Sequence, residues 1–83
     1  MGERRKGAFT QRVGLAIRNQ RRAAGLSQEG LALEARIDRS FLSEIERGLK
    51  SPTVETILVI AQALGLKASE LIRFAEEDSL PST

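Results

Sequence analysis

Apolar residues recur every three or four positions along most of the chain, which is the spacing of one face of an α-helix. The pattern predicts five short helices, and no stretch alternates with the period of two that a β-strand requires. The residues expected to face inward are, helix by helix, Val13, Ala16, Ile17, Gln20 and Ala24; Leu31, Ala32 and Ala35; Leu42 and Ile45; Ile57, Ile60, Ala61 and Leu64; and Leu71, Ile72 and Ala75. We therefore expect an all-α fold with five helices around one core.

Local signals set the expected ends of these helices. Four residues carry a side-chain oxygen that can accept a hydrogen bond from a free backbone N–H at a helix start: Thr10, Ser27, Asp38 and Thr53. The glycines expected to end the first, third and fourth helices are Gly25, Gly48 and Gly65. These signals predict a helical domain over residues 10–76, preceded by a basic flexible arm (1–9) and followed by a frayed acidic tail (77–83).

Composition removes most catalytic and metal-binding chemistry. The 83-residue chain contains neither Cys nor His, which excludes disulfides, thiolate or imidazole metal sites and histidine-based acid–base catalysis. We therefore expect no enzyme, no cofactor and no small-molecule ligand. The longest apolar stretch, residues 57–61, is far shorter than the roughly 20 residues of a membrane span. No membrane partner is expected, and the predicted location is the cytoplasm.

Positive charge is concentrated at the front of the chain. Residues 1–24 contain seven basic residues and one acidic residue, whereas residues 51–83 contain two basic and five acidic ones. This asymmetry suggests a molecule that turns one face towards a polyanion such as DNA. The basic arm, with Arg4, Arg5 and Lys6, is a candidate for contact with the DNA backbone. A solvated tail without function explains the arm equally well.

The second and third predicted helices carry the strongest functional signal. A helix capped by Ser27, a three-residue turn (residues 35–37) and a second helix capped by Asp38 form the arrangement of a helix-turn-helix. In DNA-binding proteins of this kind the second helix lies in the major groove, where its N-terminal residues contact base edges.

Several short segments, all in register, closely resemble the phage-repressor (Xre-type) helix-turn-helix family. They are Ile17-Arg18, Leu26-Ser27-Gln28, Glu46-Arg47-Gly48, Pro52, and Ala61, Leu64 and Gly65. The resemblance covers roughly residues 10–75 and implies a lambda-repressor-like domain that binds double-stranded operator DNA. The segment Asp38-Arg39-Ser40-Phe41 also resembles the controller proteins of restriction–modification systems.

The resemblance carries two structural expectations. Arg36 stands in the turn where the family usually has Gly, so either its backbone is strained or the turn differs. Arg21 and Glu46 match a family pair that forms an internal ion pair between the first and third helices.

The residues expected to bind DNA are Ser27, Gln28, Arg39, Ser40, Phe41, Ser43, Glu44, Arg47 and Lys50. Arg39 can donate two hydrogen bonds to guanine, and Glu44 can accept one from cytosine or orient Arg39. Arg47 and Lys50 are candidates for phosphate contact, which positions a protein without reading sequence. The resemblance implies that Gln28 contacts phosphate and braces the third helix.

Simpler roles compete with some of these assignments. Ser27 is a helix cap whether or not it approaches a phosphate, and Phe41 is expected to pack at the core edge rather than contact a thymine methyl. Arg39 could merely decorate a surface helix, although a helix N-terminus disfavours a cation.

The leading hypothesis is a transcription regulator that binds operator half-sites as a homodimer. The expected dimer contact lies in the fourth and fifth helices, which offer more apolar residues than one core should need: Leu58, Val59, Leu71, Ile72 and Phe74. The alternative is an antitoxin or another protein-interaction module built on the same fold.

Overall fold

The computed structural model describes the backbone of residues 2–78 and the side chains of residues 8–77. Five helices follow one another along this range, and no strand occurs within it. They are α1 (Gly2–Ala23), α2 (Gln28–Ala35), α3 (Arg39–Glu46), α4 (Val54–Ala63) and α5 (Ala68–Asp78). The predicted all-α, five-helix fold is confirmed. None of these helices, within the described residues, is both long and apolar enough to cross a membrane.

The predicted starts of α2, α3 and α4 are confirmed by their caps. In each case the side chain accepts a hydrogen bond from the backbone N–H three residues later, at 2.9 Å for Ser27, 3.2 Å for Asp38 and 3.1 Å for Thr53. The three expected stop glycines all have left-handed backbone angles, with φ of 74°, 77° and 75° at Gly25, Gly48 and Gly65. Glycine adopts this conformation at no steric cost, so each of these helices ends next to the glycine that the sequence predicts.

The outer ends of the first and last helices differ from the prediction. Helix α1 begins at Gly2, so Thr10 lies inside the helix and does not cap it. The physical reason is that residues 3–6 are Glu, Arg and Lys, which favour a helix and offer no stop signal. Helix α5 likewise continues to Asp78, two residues into the predicted tail. Met1 of the predicted arm and residues 79–83 of the tail lie outside the described residues.

The core is built from the predicted apolar faces. Its largest fully buried side chains, with less than 2% exposure, are Ile17, Leu31, Leu42, Ile45, Ile60 and Leu71. Ala24 was wrongly expected to face inward; it follows the end of α1 and is exposed. Leu71 was expected both to face inward and to be surplus to the core; the first expectation is confirmed and the second is wrong, because α5 packs closely on α1 and buries it.

A glycine inside α1 sets how closely α1 packs on α3. A Cβ atom placed on Gly14 would collide with the carbonyl oxygen of Ile45 and would lie 2.9 Å from that of Glu46. Backbone therefore packs against backbone at this point, a contact that any other residue would prevent. A glycine in the middle of a helix costs about 0.5–1 kcal/mol of stability relative to Ala. At Gly14 this cost accompanies the close approach of α1 to α3.

We predict that Gly14→Ala destabilises the fold by about 1–3 kcal/mol, because the added methyl forces α1 away from the end of α3. Chemical denaturation followed by circular dichroism measures the change. Gly30→Ala is the matched control, since it is also a helical glycine but an added Cβ would meet only side-chain atoms, of Ser27 at 3.2 Å and Leu26 at 3.7 Å. Equal stability of the two variants would contradict the close-approach role of Gly14.

Candidate nucleic-acid interface

Helix α3 divides into a buried face and an outward polar face. Leu42 and Ile45 point into the core with no exposed area. The opposite side forms a shallow surface depression lined by Arg39, Ser40, Ser43, Glu44 and Arg47. We call these five residues the α3 polar face. It gathers five of the nine residues expected to bind DNA on one exposed surface.

The other expected residues lie around this face or support it. Phe41 is half-buried and packs against the core, as its simpler interpretation predicts. Lys50 is exposed in the loop after α3, and its Nζ lies 3.9 Å from a carboxylate oxygen of Glu44. An exposed pair at this distance stabilises the fold by at most about 1 kcal/mol, but it places a cation beside the one acidic group of the α3 polar face.

The predicted ion pair between α1 and α3 is present and buried. Arg21 donates to both carboxylate oxygens of Glu46, from Nε at 2.7 Å and from a terminal nitrogen at 3.0 Å. Its other terminal nitrogen donates to the backbone oxygen of Leu26 at 2.9 Å. Arg21 therefore ties α1, the turn before α2 and the end of α3 together through one guanidinium.

Gln28 joins this arrangement from the start of α2. Its side-chain Nε2 donates to a carboxylate oxygen of Glu46 at 3.0 Å. The carboxylate thus receives hydrogen bonds from both α1 and α2, the two helices that flank α3. We call Arg21, Gln28 and Glu46 the α3 anchor, because these side chains fix the position of α3.

The anchor favours the charged form of Arg21. Hydrogen bonding to the Glu46 carboxylate raises the pKa of Arg21, and the raising outweighs the opposing effect of burial. A raised pKa means that the stabilisation from this group is present at all pH values below its ordinary range and is lost only above it.

The turn between α2 and α3 has an unusual residue. Arg36 adopts a left-handed conformation with φ of 60° and ψ of 44°, and it is the one non-glycine residue with positive φ among those described. A residue with a Cβ atom pays about 1–2 kcal/mol for this conformation. Of the two alternatives left open by the sequence, a strained backbone and a different turn, the structure has the strained backbone.

A helix-turn-helix whose second helix is anchored on one side and polar on the other is the arrangement found in DNA-binding regulators of transcription. The chain matches the helix-turn-helix family HTH_3 over residues 17–71 and belongs to that family. This confirms the predicted resemblance and fold class.

Individual relatives agree with the family. The chain is similar to the HTH-type transcriptional regulator y4dJ of Sinorhizobium fredii, with 38% identity over 78% of this chain and 84% of that protein. Similarity to the control protein C.BamHI of Bacillus amyloliquefaciens is 37% over 61% of this chain and 63% of that protein. The fold also matches the restriction–modification controller protein C.AhdI of Aeromonas hydrophila, with a TM-score of 0.73 and 39% identity over 75% of this chain and 94% of that one. These similarities do not favour the alternative of a protein-interaction module.

We predict that Arg21→Ala or Glu46→Ala alone costs about 3–5 kcal/mol of stability, because each leaves a buried charge without its partner. The double variant Arg21→Met, Glu46→Leu should recover much of that loss, since it removes both charges and keeps the volume. Denaturant unfolding of the three variants measures this. Losses under about 1 kcal/mol for both single variants would mean that the pair behaves as an exposed one.

Proposed function

We propose that the chain regulates transcription as a homodimer, with the two α3 helices bound to two half-sites of one operator in double-stranded DNA, in the manner of a restriction–modification controller protein. The observation that carries the proposal is the α3 polar face. Its side chains are outward and largely uncommitted to the fold, while the opposite side of the same helix is fixed by the core and by the α3 anchor.

Arg39 is the proposed reader of a base pair. It is the first residue of α3, directly after the Asp38 cap, and its side chain is exposed. A cation at a helix N-terminus does not stabilise the helix, so this position suits a ligand better than it suits the fold. The guanidinium can donate two hydrogen bonds to O6 and N7 of guanine.

The neighbouring groups extend the reading surface. Ser40 and Ser43 can donate to or accept from base edges, and Glu44 can accept from the N4 amino group of cytosine or orient Arg39. The cation of Lys50, 3.9 Å from Glu44, lowers the cost of bringing that carboxylate near phosphates.

Phosphate contacts are assigned to the rim of this surface. Gln28 and the capped start of α2 present backbone N–H groups, which favour an anion. Arg47 and Lys50 are exposed at the other end of α3 and supply cations. Such contacts position the protein on the duplex and add affinity for any sequence.

The proposed dimer face lies on α4 and the loop before it. Val54 and Leu58 are one helical turn apart and are 74% and 43% exposed, and Leu49 in the preceding loop is 63% exposed. Three more apolar residues, half-buried on α4 and α5, extend the expected contact: Val59, Ile72 and Phe74. An apolar group of this kind, none of whose residues lines the α3 polar face, suits a two-fold contact between copies. Two recognition helices on half-sites about 10 bp apart would then read more sequence than one helix can.

The proposed role of this chain as a controller protein rests on its similarity to two proteins. Both C.BamHI and C.AhdI carry that role in their names, and C.AhdI is covered by this chain over nearly its whole length. The cap and first residues of α3, Asp38-Arg39-Ser40-Phe41, also resemble this group of proteins.

We predict that Arg39→Ala weakens binding to the preferred operator by about 1–3 kcal/mol and relaxes the preference at one base pair in each half-site. The operator is first obtained by selection from random DNA, and affinities are then measured by fluorescence anisotropy. Arg47→Ala is the matched control on the same helix; as a phosphate contact it should weaken operator and unrelated DNA by the same factor. If Arg39→Ala also weakens both equally, Arg39 contacts phosphate and is not the reader.

We predict that Leu58→Asp converts the dimer to a monomer, because it buries a charge in the proposed contact. Sedimentation at micromolar concentration measures the change. Leu33→Asp is the matched control, since Leu33 is 80% exposed on α2 and lies outside the proposed contact. A wild-type protein that sediments only as a 9.1 kDa species, or equal effects of both variants, would overturn the dimer face.

A further inference from the structure

The side of α4 away from its buried residues carries four residues with apolar groups in the middle and polar groups at both ends. They are Glu55, Leu58, Val59 and Gln62, at the i, i+3, i+4, i+7 spacing of one helix face. Val59 is half-buried and the other three are exposed. We call these residues the α4 stripe. Its polar ends, seven residues apart, are about 10 Å from each other along the helix.

A basic side chain lies beside the Gln62 end of the α4 stripe. Arg36, from the turn after α2, lines a depression between α2 and α4 together with Val59 and Gln62. Glu34 lines the same depression, but none of the three ion pairs found among the described residues includes Arg36, Glu34 or Glu55. The stripe therefore has a carboxylate at its N-terminal end and a guanidinium next to its C-terminal end.

The backbone position of Arg36 does not explain its side chain. The backbone N–H closes α2 by donating to the carbonyl oxygens of Ala32 and Leu33, and glycine would do this without strain at the same positive φ. Strained residues are often found where a side chain serves binding. The exposed side chain of Arg36 is therefore a candidate for a contact outside its own chain.

A second copy of this chain is the partner that the α4 stripe fits. Across a two-fold axis perpendicular to α4 the two stripes run antiparallel, and each residue faces its mirror position about the centre of the stripe, between Leu58 and Val59. Glu55 of one copy then faces Gln62 of the other copy, beside the Arg36 of that copy. A parallel pairing would instead set Glu55 against Glu55, and like charges that meet across an interface are unfavourable.

We propose that Arg36 of each copy binds Glu55 of the other copy, and that these two ion pairs hold the α4 helices antiparallel in the dimer. The inference rests on the proposed homodimer and adds the charges that set its register. By symmetry the pair occurs twice, once on each side of the apolar centre formed by Leu58 and Val59. Charge pairs of this kind decide which surfaces match and in which register, while the apolar centre supplies contact area.

Mixing two charge-reversed chains tests the proposal. In its homodimer Arg36→Glu sets carboxylate against carboxylate twice, and Glu55→Arg sets guanidinium against guanidinium twice. We expect each variant alone to dimerise on the order of 100-fold more weakly than wild type. An equimolar mixture should dimerise to within about tenfold of wild type, because the heterodimer has opposite charges at both places. Sedimentation measures the association, native mass spectrometry identifies the heterodimer, and circular dichroism verifies that each variant is folded.

Glu34→Arg is the matched control, since Glu34 lines the same depression as Arg36. Mixed with Arg36→Glu it should not restore dimers, because its own Glu55 still faces the introduced carboxylate. A single chain with both Arg36→Glu and Glu55→Arg should dimerise as the mixture does. This double variant keeps the test decisive if Glu55→Arg alone is poorly folded, since Glu55 is the acidic residue in the first turn of α4, where a negative charge stabilises a helix.

The outcomes separate the ion pair from the dimer. Single variants that dimerise like wild type, a mixture and a double variant that both stay monomeric, or equal rescue by Glu34→Arg overturn the pair of Arg36 with Glu55 and leave the dimer face standing. A wild-type chain that is monomeric at micromolar concentration overturns the proposed dimer itself. DNA binding by α3 is tested independently by the Arg39 variant.

Discussion

The contact between α1 and the end of α3 is the constraint on which the rest of the structure depends. Gly14 lets the backbones of the two helices touch at Ile45 and Glu46. A little further along α1, Arg21 holds both carboxylate oxygens of Glu46. Close packing and a bidentate ion pair thus both act on Glu46, at the end of α3. A short helix of eight residues has little stability of its own, so its position must come from contacts of this kind.

The anchor also separates stability from recognition. Glu46 is 6% exposed, and Leu42 and Ile45 are fully buried, so the core and anchor contacts of the helix lie on its inner side. The α3 polar face makes few contacts with the rest of the fold, so its residues can be changed while the fold is kept. Arg36, in the turn before α3, differs from these residues because its own backbone is strained.

Much of the fold could be predicted from local signals, and the errors have physical causes. The caps at Ser27, Asp38 and Thr53 were predictable because each depends on one side chain and the backbone next to it. The start of α1 was not, because Thr10 is a possible cap inside a segment that prefers to remain helical. Gly14 gives no local signal, since a close approach depends on a partner far along the chain. The candidate site was predictable as a set of positions on α3. Helical spacing placed Leu71 on an inward face, and it is buried; its second listing as a surplus residue was wrong, because spacing alone does not say which apolar face a neighbouring helix covers.

Chemical-shift mapping of the ¹⁵N-labelled protein with an operator half-site duplex tests the central claim most directly. The account predicts that the largest amide shifts occur at Ser27 and Gln28 and along α3 from Arg39 to Arg47. Residues of α5, which packs on α1 and α4, should shift little. Shifts centred on α5, with α3 unaffected at saturating DNA, would contradict the claim that the outward face of α3 is the DNA-binding surface.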